Sequence, residues 1–326
     1  MPEKIDAFLA AAGWADATRR PLAGDASARR YERLARPSGG RAVLMISPAA
    51  DEISRFSRIG RWLREAGFSA PEIFAEDAAA GLMLLEDLGD DLLSRLLHDD
   101  PPREGEIYAF VTDFLLDLHR LPAPEFVAPL DGSALAELVE LTVEHYPTLS
   151  QTAAEAVPGQ IAALYAGLSP VPPVLCLRDF HAENALWLPE RTGTARLGLL
   201  DFQDAVAAHP AYDLVSALQD VRRTVSPAVA ARERARYAAA RGLDPADFDR
   251  AYALLGAQRA LRIQGVFARL AKLYGKPHYL DLMPRNWANL MHNLAHPALA
   301  DLAATVTAAF PAPDAALIAR LKQEAA

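Results

Sequence analysis

Asp179, Asn184 and Asp201 have the residue types and the spacing that phosphoryl transfer requires. That reaction needs a carboxylate to take the proton of an acceptor hydroxyl, and hard oxygen ligands to hold Mg2+ on a triphosphate. In Leu177-Arg178-Asp179-Phe180-His181-Ala182-Glu183-Asn184, an Asp supplies the base and an Asn later on the same loop supplies one metal ligand. The Asn carbonyl offers oxygen without a negative charge that would repel phosphate. Further on, Leu199-Leu200-Asp201-Phe202-Gln203-Asp204 puts a second carboxylate, Asp201, at the end of a strand, where it can bridge the metals from the other side of a hairpin. Apolar residues on either side (Leu175, Leu177, Leu186, Leu188, Leu199 and Leu200) would fix both loops on a buried scaffold, and this chemistry depends on such positioning.

The elements that must carry these residues follow from periodicity. Ala42-Val43-Leu44-Met45-Ile46 reads as a short buried strand ending at Ser47-Pro48. A helix follows, with Asp51 as its expected cap, Ile53, Phe56, Ile59, Trp62 and Leu63 on one face, and Gly67 as its stop. Ile73-Phe74-Ala75 and Leu82-Met83-Leu84-Leu85 are further strand candidates, and Glu86-Asp87-Leu88-Gly89-Asp90-Asp91 is an acidic connector. Beyond it, Ile107, Phe110, Val111, Phe114, Leu115 and Leu118 recur at helical offsets. Helix continues to about residue 168, and strands are expected at 174–178 and 196–200. From Tyr212 onward the chain reads as alanine-rich helix broken by prolines. The expected architecture is α+β, with a small β-rich lobe at 1–88 and a large helical lobe at 89–326 that contains a β-hairpin.

Arg178-Asp179-Phe180-His181-Ala182-Glu183-Asn184 resembles the catalytic loop of the aminoglycoside-phosphotransferase and choline-kinase branch of the protein-kinase-like fold, and fits R-D-x-x-x-x-N. Leu200-Asp201-Phe202-Gln203 is similar to that branch's metal-binding Asp motif. The resemblance implies a two-lobed enzyme that uses ATP and Mg2+, with Asp179 as base and Asn184 and Asp201 on the metal. His181 looks like the family's loop histidine, which hydrogen-bonds the loop. Gly24 to Arg33, Leu200 to Ala205, Tyr212-Asp213-Leu214 and Gly265 to Leu270 narrow the likeness to one subgroup, the N-acetylmuramate/N-acetylglucosamine anomeric kinases of bacterial cell-wall recycling. Membership would imply phosphorylation of the C1 hydroxyl of an amino sugar, giving a sugar 1-phosphate for later uridylylation.

The same likeness suggests the remaining contacts. Ser27 and Arg30, in the nucleotide-covering hairpin, and Glu86 and Leu88, in the adenine-binding hinge, are expected to meet ATP. Asp204 and Arg262, with Asp179, are expected to meet the sugar; Tyr274, Lys276 and Tyr279 are further candidates. One departure stands out. Most kinases of this fold place a phosphate-binding Lys on a small-lobe strand, where this chain has Met45. Arg29, Arg30 or Arg33 would have to replace it, with Arg30 the first choice, since arginine suits bidentate phosphate contacts.

Composition limits the alternatives. The chain has 326 residues, suiting two packed bodies, and a net charge of −9, which argues against a nucleic-acid partner. Its one cysteine, Cys176, sits in an apolar run and reads as a small buried hydrophobe. There is no signal-peptide pattern and no membrane-length apolar stretch, so a cytoplasmic protein with no membrane partner is expected. P-loop, dinucleotide-binding and serine-hydrolase motifs are absent, and His292 and His296 lack the Glu of a zinc protease. A kinase for another small alcohol (an aminoglycoside, choline or homoserine) and a nucleotide-binding pseudokinase scaffold remain the alternatives, the latter suggested by Met45.

Overall fold

The computed structural model describes residues 2–22 and 29–325, so Ser27 and its neighbours from Ala23 to Ala28 lie outside the described residues. The chain divides into two compact units, Met1–Pro101 with Ala182–Ala205, and Pro102–His181 with Val206–Ala326.

In the first unit, helix α1 (Pro2–Ala11) precedes strands β1 (Thr18–Pro21), β2 (Arg30–Ala35) and β3 (Arg41–Ile46), helix α2 (Ala50–Glu65), and strands β4 (Ile73–Asp77) and β5 (Leu82–Glu86). The strands pair antiparallel in the order β1-β2-β3-β5-β4. Side chains alternate across a sheet, so each strand contributes to two faces. Ala42, Leu44 and Ile46 join Leu34, Leu82 and Leu84 beneath Ile5, Leu9 and Trp14 as one core. Val43 and Met45 belong to the opposite face, and Met45 is fully buried there.

Helix α2 buries Ile53, Phe56, Ile59 and Leu63 as its spacing predicts, while Trp62 is only half-buried. The expected cap is corrected. Asp51 lies inside the first turn and ion-pairs with Arg55, and the helix begins after Ala49 with no side-chain cap. Asp51 still benefits the helix, because a carboxylate in the first turn faces the positive end of the helix dipole. At the other end Gly67, at φ 89°, turns the chain away.

The strands expected at 174–178 and 196–200 are shorter and have partners that the sequence did not mark. Val174–Cys176 pairs with Val206–Ala208 in the second unit. Leu197–Leu199 pairs with Ala185–Trp187 in the first unit, not inside the helical part of the chain. This hairpin is anchored there by bridges from Gly198 to Ser69 and from Leu186 to Leu92, and by the Leu199 amide donating to the Ser69 carbonyl at 2.9 Å. Glycine suits position 198, where a Cβ would lie 3.1–3.2 Å from Leu188, Leu186 and Leu88 and those side chains would have to give slightly.

The second unit is helical around Pro245–Tyr274, a long helix buried on most sides. Asp244 caps it by accepting from the Ala246 and Asp247 amides, Pro245 begins it, and Gly275, at φ 60°, ends it. A Cβ on Gly265 would come within 2.5 Å of the Leu141–Thr142 backbone, so glycine lets the helix Gly132–His145 cross closely. This long helix carries Arg259 and Arg262.

Candidate active site

Asp179 belongs to the second unit, on the turn that follows Val174–Cys176. The Asp179 amide donates to the Leu177 carbonyl at 2.9 Å, closing a γ-turn on Arg178, whose φ of 70° belongs to the rare, strained form. Strain of this kind persists only where the surroundings over-determine it. Here Asp213 does so. Its fully buried carboxylate accepts from the Leu177 amide at 2.5 Å and the Arg178 amide at 3.0 Å, splinting the turn from both sides. Burial pushes the Asp213 carboxyl up to about 7, against the pull of those two amides. Phe180 adds an apolar anchor, stacking on Phe114 at 5.3 Å.

The Asp179 side chain is 37% exposed, and Arg259 and Arg262 lie 3.7 and 3.9 Å away. Burial of the carboxylate works against its charge, but the Arg262 and Arg259 guanidinium groups outweigh it and hold the pKa down at about 2. The group is therefore ionised at neutral pH. His181 is buried and accepts from Arg222 Nη1 at 3.2 Å, an arrangement that suits a neutral ring. Burial lowers its pKa. Cys176 is fully buried and its thiol is pushed up by burial, in line with a packing role.

Asn184 and Asp201 belong to the first unit, at the ends of its small hairpin. Leu200 donates its amide to the Asn184 carbonyl at 3.0 Å, so Asn184 faces the residue that precedes Asp201. Asp201 also has a left-handed backbone, at φ 56°, which Asp tolerates better than most residues. Phe202, fully buried, fixes the segment to helix α2. Its ring centroid lies 4.5 Å from that of Phe56, and a Cβ on Gly60 would meet the ring at 3.3 Å. Glu52, Phe56 and Gly60 are spaced by four residues and share a face of α2. That face is turned toward Asp201-Phe202-Gln203.

The cation beside Asp201 is Arg29. Its side chain is buried, ion-pairs with the Asp201 carboxylate, donates to Gln203 Oε1 at 2.8 Å and lies 3.2 Å from Glu52. Arg30 is exposed at the start of β2, opposite Ile46. Arg33 is engaged elsewhere, at 2.9 Å from Asp87 and 2.8 Å from Asp90. In the connector, Glu86 accepts from the Glu72 amide at 3.1 Å and ion-pairs with Arg191, while Leu88 is half-buried beside Gly198. Asp204 is half-exposed, 3.5 Å from Arg55 in the first unit, whereas Arg262 is in the second. Of the further candidates, Tyr279 is a core residue packed on Phe267, and Tyr274 is exposed in the last turn of its helix.

Sequence reasoning gave no role to Glu52, Gly60, Asp213 or Arg259. The four-residue spacing of Glu52, Phe56 and Gly60 was a legible signal for the first two of these.

Known proteins resolve the family. The model of the phosphotransferase enzyme family matches residues 18–254. The chain belongs to the phosphotransferase enzyme family. This phosphotransferase is 42% identical to a Caulobacter vibrioides protein named N-acetylmuramate/N-acetylglucosamine kinase, over 91% of this chain and 93% of that one. A Pseudomonas putida protein of the same name is 32% identical, over 85% of this chain and 84% of the relative. In structure the phosphotransferase is similar to a choline/ethanolamine kinase family protein from Mesorhizobium loti, with a TM-score of 0.64 at 18% identity, covering 94% of this chain and 98% of the other. At that identity the likeness is one of fold, the protein-kinase-like fold. The phosphotransferase is an ATP-dependent enzyme with an alcohol group as acceptor.

Proposed function

We propose that this phosphotransferase moves the γ-phosphate of ATP to the anomeric C1 hydroxyl of N-acetylmuramate or N-acetylglucosamine, as part of cell-wall sugar recycling in the cytoplasm. The observation that carries this reading is the 42% identity to the Caulobacter vibrioides kinase named for those two sugars. The charge around Asp179 agrees with it. Arg259 and Arg262 make the surroundings of that carboxylate cationic, which suits a neutral or anionic sugar and disfavours a polycationic aminoglycoside.

In this mechanism Asp179 accepts a hydrogen bond from the sugar hydroxyl, orients it and takes its proton as the new bond to phosphorus forms. The Arg262 and Arg259 guanidinium groups keep this carboxylate ionised, in the form that accepts such a hydrogen bond. Asn184 and Asp201 offer the hard oxygen donors that suit Mg2+, and they are the residues that would hold it. When bound, the metal neutralises charge on the phosphates. Glu86 and Leu88 would border the adenine, Ser27 would border the phosphates, and Asp204 and Arg262 would meet the sugar. Among the described residues no helix is long and apolar enough to cross a membrane.

The test is ADP release with Mg·ATP against N-acetylmuramate, N-acetylglucosamine, an aminoglycoside, choline and homoserine. Turnover confined to the two amino sugars is expected. Turnover on choline or homoserine alone would replace the acceptor, and no turnover with no ATP binding would favour a pseudokinase. Asp179→Asn should lower kcat by about 10²–10⁴-fold, the usual worth of a positioned acid or base, while ATP binding is kept.

A further inference from the structure

Most of the phosphate-binding cation's setting can be read within the first unit. Met45 is fully buried on β3 and cannot compensate phosphate charge. Among the described residues of the first unit, no lysine lies on the face of the sheet that carries Met45. Lys4 is the only lysine in Met1–Pro101 and Ala182–Ala205, and it lies on α1, which covers the other face of the sheet. The replacement must be an arginine, and alternation decides which one. Tyr31 pairs directly with Met45, so the two share a face of the sheet. Arg29, two residues before Tyr31, is in phase with that face. Arg30 pairs with Ile46, which belongs to the core under α1.

The neighbours of Arg29 make the same distinction. In kinases of this fold the phosphate-binding Lys is held by a Glu on the helix that follows its strand. In this chain Glu52, in the first turn of α2, lies 3.2 Å from Arg29. The other Glu52 oxygen accepts from the Ser47 hydroxyl, so the carboxylate is fixed at both ends. Ser47 is itself held by the Ala49 amide, which donates to its Oγ at 3.1 Å. Arg29 therefore sits between a clamped carboxylate and Asp201, the residue expected to hold the metal. Burying a guanidinium is costly unless it is paired, and a pairing shared with Asp201 is one that a phosphate can exchange.

We infer that Arg29, held by Glu52, is the cation that binds the nucleotide's phosphates in this chain, taking the place that Met45 leaves. Arg29 neutralises Asp201 through their ion pair. When phosphate binds, Glu52 would keep the guanidinium in position and Asp201 would be left to hold the metal. This inference rests on the phosphotransferase reading.

The test compares ADP with adenosine by calorimetric titration, in the presence of Mg2+ and again with a chelator. The two ligands share the base and ribose and differ in the phosphates. The wild-type protein should bind ADP more tightly than adenosine. Arg29→Met should lose roughly tenfold to a hundredfold of ADP affinity, the scale of one charge-assisted bidentate contact, and keep its adenosine affinity. The loss should persist with the chelator, which separates Arg29 from the metal ligands. Arg29→Lys keeps the pairing charge should Met prove too disruptive to fold, and it should lose less ADP affinity than Arg29→Met. Equal ADP affinity in both variants and the wild type would overturn the inference. So would an equal loss for ADP and adenosine, which marks a purely structural role, or a loss that falls on Arg30→Met with Arg29→Met at the wild-type value. Failure of the wild-type protein to bind ADP or ATP at all would instead sink the phosphotransferase reading and this inference with it.

Discussion

Asp213→Asn tests whether the turn that carries Asp179 is held from behind. The substitution keeps side-chain size but leaves one carbonyl oxygen for two amides, those of Leu177 and Arg178. The Asn NH2 group then faces a backbone N–H, and a buried donor loses its partner. A hydrogen bond to a charged group is worth about 1.5–3 kcal/mol, and an orphaned buried donor costs about 1–3 kcal/mol. Relief from burying a carboxylate offsets part of this. A net loss of about 2 kcal/mol is expected, lowering Tm by about 4–8 °C for a domain of this size. The larger effect should be on catalysis. With one splint gone, Arg178 can relax from φ 70° and swing Asp179 out of place. A displacement near 1 Å can cost about 10²-fold. Steady-state ADP release should show kcat down by that order with N-acetylmuramate, while the ADP dissociation constant stays within about twofold, since the first unit is untouched. A wild-type kcat in a destabilised variant would refute the splint, and so would a defect confined to ADP binding.

Three further outcomes follow from the same geometry. Gly60→Val should force Phe202 from its place against α2 and lower Mg·ADP affinity and kcat about tenfold, whereas Gly60→Ala should stay near wild type; calorimetry and turnover on both variants would check this, and a harmless Val would refute it. Arg262→Ala should raise KM for N-acetylmuramate about tenfold through loss of a contact to its carboxylate, and spare N-acetylglucosamine; an equal kcat loss on both sugars would mean that Arg262 acts only on Asp179. Stability should fall with acid. Burial lowers His119 to about 3 and His209 to about 4, so below about pH 6.5 the unfolded chain binds more protons than the folded one. Each histidine then removes about 1.4 kcal/mol per pH unit, while Asp213, raised to about 7, works in the opposite sense over the same range. Urea midpoints should therefore fall by the equivalent of about 1.4 kcal/mol per unit between pH 6.5 and 5, and a flat or rising series would contradict the buried neutral rings.

The sequence made the chemistry legible where local spacing fixed it. Asp179 and Asn184 share one loop, and Asp201 follows the strand Leu197–Leu199 by two residues. The apolar stripe of α2 was equally plain, because helical period and burial agree at Ile53, Phe56, Ile59 and Leu63. Partners set by long-range contact were harder to see. The three-residue strands Ala185–Trp187 and Val206–Ala208 are too short for alternation to declare them, and their pairing is fixed by Ser69, Leu92 and Ala128 far away in sequence. Asp213 lies beyond three strands from the amides it accepts, so Tyr212-Asp213-Leu214 had a motif's shape without a role. Arg29 and Arg30 are adjacent and chemically equal. Only the register that sets Tyr31 against Met45 separates them, and a one-residue step reverses every side chain in a strand.

The position of the new phosphate tests the central claim most directly. With Mg·ATP and N-acetylmuramate, ADP formed should be matched one for one by loss of the sugar's reducing end, because a C1 phosphate blocks it. ADP release with the reducing end intact would put the phosphate on another hydroxyl and contradict the proposed reaction.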